Sequence, residues 1–243
     1  SVGMNDYLLD GPITALDVIR DITGQEKCNL LGLCLGGTLT MISLTYLDAI
    51  GKDRINSATF LNTLTDFSQP GALGVFTDEV SVTKLEEQMN QTGFLPADNM
   101  AKTFNLMRGN YLIWHYVVNN WMKGEQPPAF DLLTWNADST RMPAVMHAFY
   151  LRSCYLKNQL AKGVMEIAGE TLNMKSVDQD LYFLAAEQDH IAPWRSSYKG
   201  ALIPTGNVRF VLSNSGHIAG IVNPPNPKSK HWAADLDELP ENP

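Results

Sequence analysis

The chain has 243 residues, 44% of them hydrophobic and 18% charged, and its 18 Lys and Arg against 26 Asp and Glu give a net charge of −8. That is enough chain to bury a substantial core, so a disordered, collagen-like or disulfide-stapled miniprotein is excluded. The acid excess, with no basic stripe to neutralise phosphates, excludes nucleic acid as a main partner.

Asp10, Gly11 and Pro12, followed by Ile13, Leu16 and Ile19 and closed by Gly24, predict a helix with an acidic cap, a first-turn proline and a C-terminal glycine. The apolar run Cys28 to Leu33 leads directly into Gly36, Gly37 and a stripe of Leu39, Ile42, Leu44 and Leu47 that ends at Gly51. That pattern is strand, tight turn, helix. Ser57 to Asn62, Leu181 to Ala186 and Val208 to Leu212 give three further strands, four in all. Strands alternating with helices predict a parallel sheet covered on both faces.

Between Asp66 and Val164 the alternation stops, and Glu79 to Gln91, Asp98 to Met122 and Pro143 to Leu160 read as helices. An insertion of this kind is expected to sit as a cap over the C-terminal edge of the sheet, where open α/β sheets bind ligands. The chain then divides into a core segment 1–65, a helical cap 66–164, a second core segment 165–232 and an irregular, acidic, proline-containing tail 233–243.

Three cysteines, Cys28, Cys34 and Cys154, form neither a disulfide framework nor a metal-ligand spacing, which fits a reducing compartment. No basic and apolar leader is visible, nor any run approaching roughly 18 apolar residues, so a cytoplasmic protein with no transmembrane segment is expected.

Gly32, Leu33, Cys34, Leu35, Gly36 and Gly37 form a cysteine counterpart of the G-x-S-x-G nucleophile elbow. The strained turn calls for small residues two positions either side of the nucleophile, here Gly32 and Gly36. The helix that follows favours a thiolate, and its first amide, at Leu35, is an expected oxyanion donor. Taken alone, the same glycines fit an inert buried cysteine equally well. Asp189 and His217, however, each follow a predicted strand, and the order nucleophile, acid, histidine is that of α/β-hydrolases.

In that arrangement His217 takes the Cys34 proton while Asp189 orients the imidazole and stabilises its charged form. A thiolate in place of an alkoxide suits thioester exchange. His190, beside the acid, is a candidate supporting contact and equally an ordinary loop residue, whereas His115 and His147 read as structural. His, Cys and Glu do not cluster at metal-ligand spacing, so neither a metal nor another cofactor is expected.

Five motifs then point to one family. They are the box Gly32 to Thr38; Asn119 and Asn120 followed by Phe130, Asp131, Leu132 and Leu133; the run Trp135 to Pro143; Asp189, His190, Ile191, Pro193 and Trp194; and Gly216 to Gly220 before Asn223, Pro224 and Pro225. Together they resemble the catalytic domain of polyhydroxyalkanoate synthases, over nearly the whole chain from Asp6 to Trp232. The resemblance implies a covalent acyl thioester on Cys34, with 3-hydroxyacyl-CoA as substrate, CoA as product and a growing polyester chain as partner. It further implies a homodimer associated with polyester granules and a preference for short monomers such as 3-hydroxybutyryl-CoA. Tyr111 stands where the family would place an acid.

Only one helix precedes the nucleophile strand, so the N-terminal strands of the fold are expected to be missing, and with them the loop carrying a second oxyanion donor. Two other functions fit the same residues: a cysteine-dependent thioesterase or lactone hydrolase, and a noncatalytic granule- or synthase-binding protein.

Overall fold

The computed structural model describes residues 2–97, 99, 103, 113–126, 140–224 and 226–235. Of the expected cap helix Asp98 to Met122, residues 98, 100–102 and 104–112, Tyr111 among them, lie outside the described residues, while Val117–Met122 is a π-helical segment; the motif residues 130–133 and 135–139, Pro225 and the tail from 236 also lie outside.

Helix α1 (Met4–Leu8) runs through a π-helical turn, Leu9–Ile13, into α2 (Thr14–Thr23). The helix therefore starts earlier than the Asp10 cap implied. Pro12 has no N–H to offer the helix ladder, and the break is taken up at Gly11, at φ −91° and ψ −107°. Gly24, in the left-handed region at φ 70°, closes α2 as expected.

Strand β1 (Cys28–Leu33) then gives way to α3 (Leu35–Ala49), β2 (Ile55–Leu61) and α4 (Glu79–Thr92), whose first turn is capped by the Asp78 carboxylate. Helix α5 (Ala144–Phe149) continues as a π-helical segment, Tyr150–Leu156, and α6 (Gln159–Lys162) follows. A short antiparallel hairpin of β3 (Met165–Ile167) and β4 (Glu170–Leu172), not foreseen in the sequence, precedes β5 (Asp180–Ala186), α7 (Trp194–Ala201), β6 (Val208–Ser213) and β7 (His231–Asp235).

Among the described residues the main sheet has five strands, in the order β1-β2-β5-β6-β7, rather than the four expected. The first four are parallel, and β7 returns antiparallel along β6, with an Arg209–Asp235 ion pair at 3.1 Å. Residues 233–235, expected to be irregular, are thus the second half of an edge strand.

Register explains how the core forms. Gly32, Phe60, Phe183 and Phe210 pair in one row across β1, β2, β5 and β6. Phe60 stacks on Phe183 at 4.3 Å, Tyr198 of α7 meets Phe210 edge-on at 5.1 Å, and Gly32 lies against Gly37 of α3. Helices α3 and α7 therefore cover the same face. Residues one position away point to the opposite face, where Leu31 and Leu33 are 66% and 42% exposed and Leu61, Tyr182 and Leu184 only half-buried. Coverage of both faces is not found among the described residues. Phe67, Met146, Cys154, Tyr155 and Leu160 join the core cluster built on that first face.

Candidate active site

Cys34 follows the last residue of β1 and opens α3, held in the positive-φ conformation (φ 53°, ψ −122°) of a strained strand-to-helix turn. Its N–H donates to the Leu61 carbonyl at 2.9 Å, and its own carbonyl accepts from the Gly37 N–H at 3.0 Å and the Thr63 hydroxyl at 3.1 Å. A Cβ on Gly32 would fall 2.4 Å from the Gly37 Cα, so strand and helix meet only where neither carries a side chain. The sequence pattern assigned the second small position to Gly36, but a Cβ there would meet nothing within 4 Å, and Gly37 is the residue packed tightly. Leu35 is the first residue of α3, so its amide has no partner within the helix and is free to face a developing oxyanion.

Asp189 is buried in the turn after β5. Its Oδ1 accepts from the main-chain N–H groups of Ile191 (2.8 Å) and Ala192 (2.9 Å), leaving Oδ2 to accept from His217 Nδ1 at 2.6 Å. Three donors on one buried carboxylate compensate the cost of removing its charge from water. His217 lies in the turn after β6, and with Nδ1 committed to Asp189, Nε2 is left for Cys34, whose side chain is near enough to act on the imidazole electrostatically. Burial acts to lower the His217 pKa, but the hydrogen bond to Asp189, the nearby Cys34 side chain and the charges on both outweigh it and carry it from the ordinary 6.5 up to about 10.

The three sequence-predicted residues thus come together from the C-terminal ends of three strands, as a thiol, an imidazole and a carboxylate able to move a proton from sulfur and return it. His190 is half-buried in the same turn as Asp189. His147 is buried in α5, where burial lowers its pKa, and His115 is exposed and bonded to Asn119. Among the described residues no group of three or more His, Cys, Asp or Glu is placed to hold a metal ion.

Several neighbours of the site gave no signal in the sequence. Asn62 and Thr63, at the tip of β2, bond His217 and Cys34 respectively. Tyr150 and Tyr155 meet edge-on, with ring centroids 5.2 Å apart, and stand close enough to Cys34 for its charge to act on both phenols. Burial is the main cause that holds both phenols protonated, and the charge on Cys34 acts in the same direction. Arg152, two-pronged on Glu86 (2.6 and 2.7 Å) and bonded to Glu79 and Thr83, ties their helix to α4. A hollow of about 500 Å³ lined by Lys27, Asp53, Arg54 and Asp180 lies at the N-terminal ends of the strands, the opposite edge of the sheet from Cys34, and takes no part in this chemistry.

Residues 9–224 match the profile of the alpha/beta hydrolase fold. The chain belongs to the alpha/beta hydrolase fold family. A hydrolase from Pseudomonas aeruginosa shares this architecture, with a TM-score of 0.50 and 16% identity over 87% of this chain and 65% of that one. Closer in sequence are the poly(3-hydroxyalkanoate) polymerase of Methylorubrum extorquens, 49% identical over 93% of this chain, and the poly(3-hydroxyalkanoate) polymerase subunit PhaC of Rhizobium meliloti, 48% identical over 93%. The chain spans 37% of the length of each of these two relatives. In hydrolases of this fold the elbow residue is the nucleophile, and here it is a cysteine.

Proposed function

We propose that the protein is the catalytic part of a poly(3-hydroxyalkanoate) polymerase, an acyltransferase that joins 3-hydroxyacyl units from CoA thioesters into a polyester. The observation that carries this reading is the thiol at the strained strand-to-helix elbow, within electrostatic reach of an imidazole that Asp189 holds. Identity near one half to the two polymerases supports the choice of acyl group.

In the first half-reaction His217 takes the Cys34 proton, the thiolate attacks the thioester carbonyl, and the oxyanion develops against the Leu35 amide. Collapse of the tetrahedral intermediate breaks the carbon–sulfur bond to CoA, whose sulfur leaves with the proton from His217. The product keeps a thioester, so the acyl group retains its transfer energy. In the second half-reaction a 3-hydroxyl gives its proton to His217 and attacks a thioester carbonyl. An ester bond forms, and the departing sulfur takes that proton back. Throughout, Asp189 keeps the imidazole in one tautomer and balances its positive charge.

CoA is then a product and no resident cofactor is required. A cytoplasmic enzyme at the surface of a polyester granule, working as a homodimer on 3-hydroxybutyryl-CoA, completes this reading. The test is incubation with 3-hydroxybutyryl-CoA, following thiol release and product mass together. Release of CoA with ester-linked oligomers is expected. Free 3-hydroxybutyrate as the sole product would make the protein a thioesterase, and absence of CoA release would leave it a noncatalytic partner.

A further inference from the structure

Asn62 follows the last residue of β2 and is 0% exposed, with its backbone in the left-handed region at φ 45°. Its N–H donates to the Leu184 carbonyl at 2.8 Å, and its side-chain Nδ2 donates to the main-chain carbonyl of His217. That donation fixes which way the amide points, because the reverse orientation would set two oxygens against each other. Oδ1 is then buried with no hydrogen-bond partner among the described residues. An unpaired buried acceptor and a non-glycine residue at positive φ both lower stability, so stability does not explain this side chain. What it gains is its one contact with the catalytic loop.

The position is also particular. Leu33 pairs with Leu61, and the Cys34 N–H bonds the Leu61 carbonyl, so Asn62 stands beside Cys34 at the tip of the strand that separates β1 from β5. His217 is thereby gripped twice, at its ring by Asp189 and at its main chain by Asn62.

We propose that Asn62 is a positioning residue: its amide, bonded to the His217 carbonyl, sets the imidazole at the height where Nε2 meets the Cys34 sulfur. This rests on the reading of Cys34 and His217 as an acyl-transfer pair, and it names what keeps that pair in register. Loss of the bond slows the chemical step and leaves substrate binding alone.

Asn62→Gly tests it by keeping the backbone conformation while removing the amide. Asn62→Asp keeps the shape, and its carboxylate cannot donate until it is protonated. The titratable groups around the position, Cys34, Asp189 and His217, are the same in both variants. Two rates are read in the purified protein: alkylation of Cys34 by iodoacetamide, which needs no acyl substrate, and CoA release from 3-hydroxybutyryl-CoA, with folding checked by urea denaturation. Asn62→Gly is expected to slow alkylation and to lower kcat by about 10 to 100-fold, with KM changed less than about twofold. The ratio of Asn62→Asp to wild-type rates is expected to climb as pH falls and the acid donates again. Wild-type rates in both variants at every pH would overturn the proposal, as would lost stability with both rates intact. If wild type releases no CoA while alkylation still slows in the variants, the polymerase reading fails and the positioning role stands. Should Asn62→Gly not fold, Asn62→Asp decides alone.

Discussion

Of the three cysteines, only Cys34 sits where a thiol becomes a nucleophile. Cys154 is fully buried and its thiol is pushed up to about 12 by burial, while Cys28, also raised by burial, opens β1 at the end of the strand away from Cys34. Cys34, Asp189 and His217 were legible because each combines a reactive residue type with a place just beyond a strand, and chain order links them. Asn62, Tyr150 and Tyr155 were not. An asparagine after a strand reads as a stop signal and two tyrosines in a helix read as packing, and their roles arise only when distant segments meet. The electrostatics of His217 carry a testable consequence. Its folded pKa, about 10, lies above the 6.5 of the free side chain, so its contribution to stability is fully present below pH 6.5 and is lost as pH rises through 10. The unfolding free-energy difference between wild type and Asp189→Asn should therefore shrink between pH 7 and 10, by on the order of a few kcal/mol. Urea titrations at several pH values in that range measure it, and a difference that stays constant would mean the pair is not charged as described.

At the scale of elements, the elbow works because a strand and a helix approach more closely than side chains allow. The sequence showed that such a turn exists at Gly32 to Gly37, but not which glycine the packing uses, since that depends on where Thr63 of the neighbouring loop falls. A Cβ on Gly37 would lie 2.1 Å from the Thr63 hydroxyl oxygen, and one on Gly32 2.4 Å from the Gly37 Cα, whereas Gly36 has open space. Gly32→Ala and Gly37→Ala should each destabilise the fold by about 1 to 3 kcal/mol or more. Gly36→Ala should stay within about 0.5 kcal/mol of wild type or gain slightly, as alanine favours the helix. Thermal or urea unfolding of the three variants decides between the two readings, and a Gly36→Ala variant as damaged as Gly37→Ala would restore the one drawn from sequence. Helix signals located α2, α3 and α4: α2 and α4 turn an apolar side inward, and α3, buried nearly all round, is apolar enough to be found beside the elbow glycines. The hairpin of β3 and β4 and the edge strand β7 escaped notice because β3 and β4 have three residues each, too few for their alternation to stand out, and β7 is mostly exposed.

For the whole molecule, the parallel sheet is the device that makes a site from residues up to 183 positions apart: Cys34, Asp189 and His217 follow the C-terminal ends of strands that register holds in one sheet. The alternation of strands and helices disclosed that sheet. It did not disclose that the described helices α3 and α7 crowd onto one face and leave Leu31 and Leu33 open on the other, because which side a helix takes depends on crossovers that apolar runs do not record. In the proposed reaction this scaffold delivers a single thiol to an acyl group. Peptide mass spectrometry of the protein after brief exposure to 3-hydroxybutyryl-CoA, alongside its Cys34→Ala variant, measures that directly. The expected result is a 3-hydroxybutyryl adduct on Cys34 alone in wild type and on no residue in Cys34→Ala; an adduct on Cys28 or Cys154, or one that survives in Cys34→Ala, would contradict it.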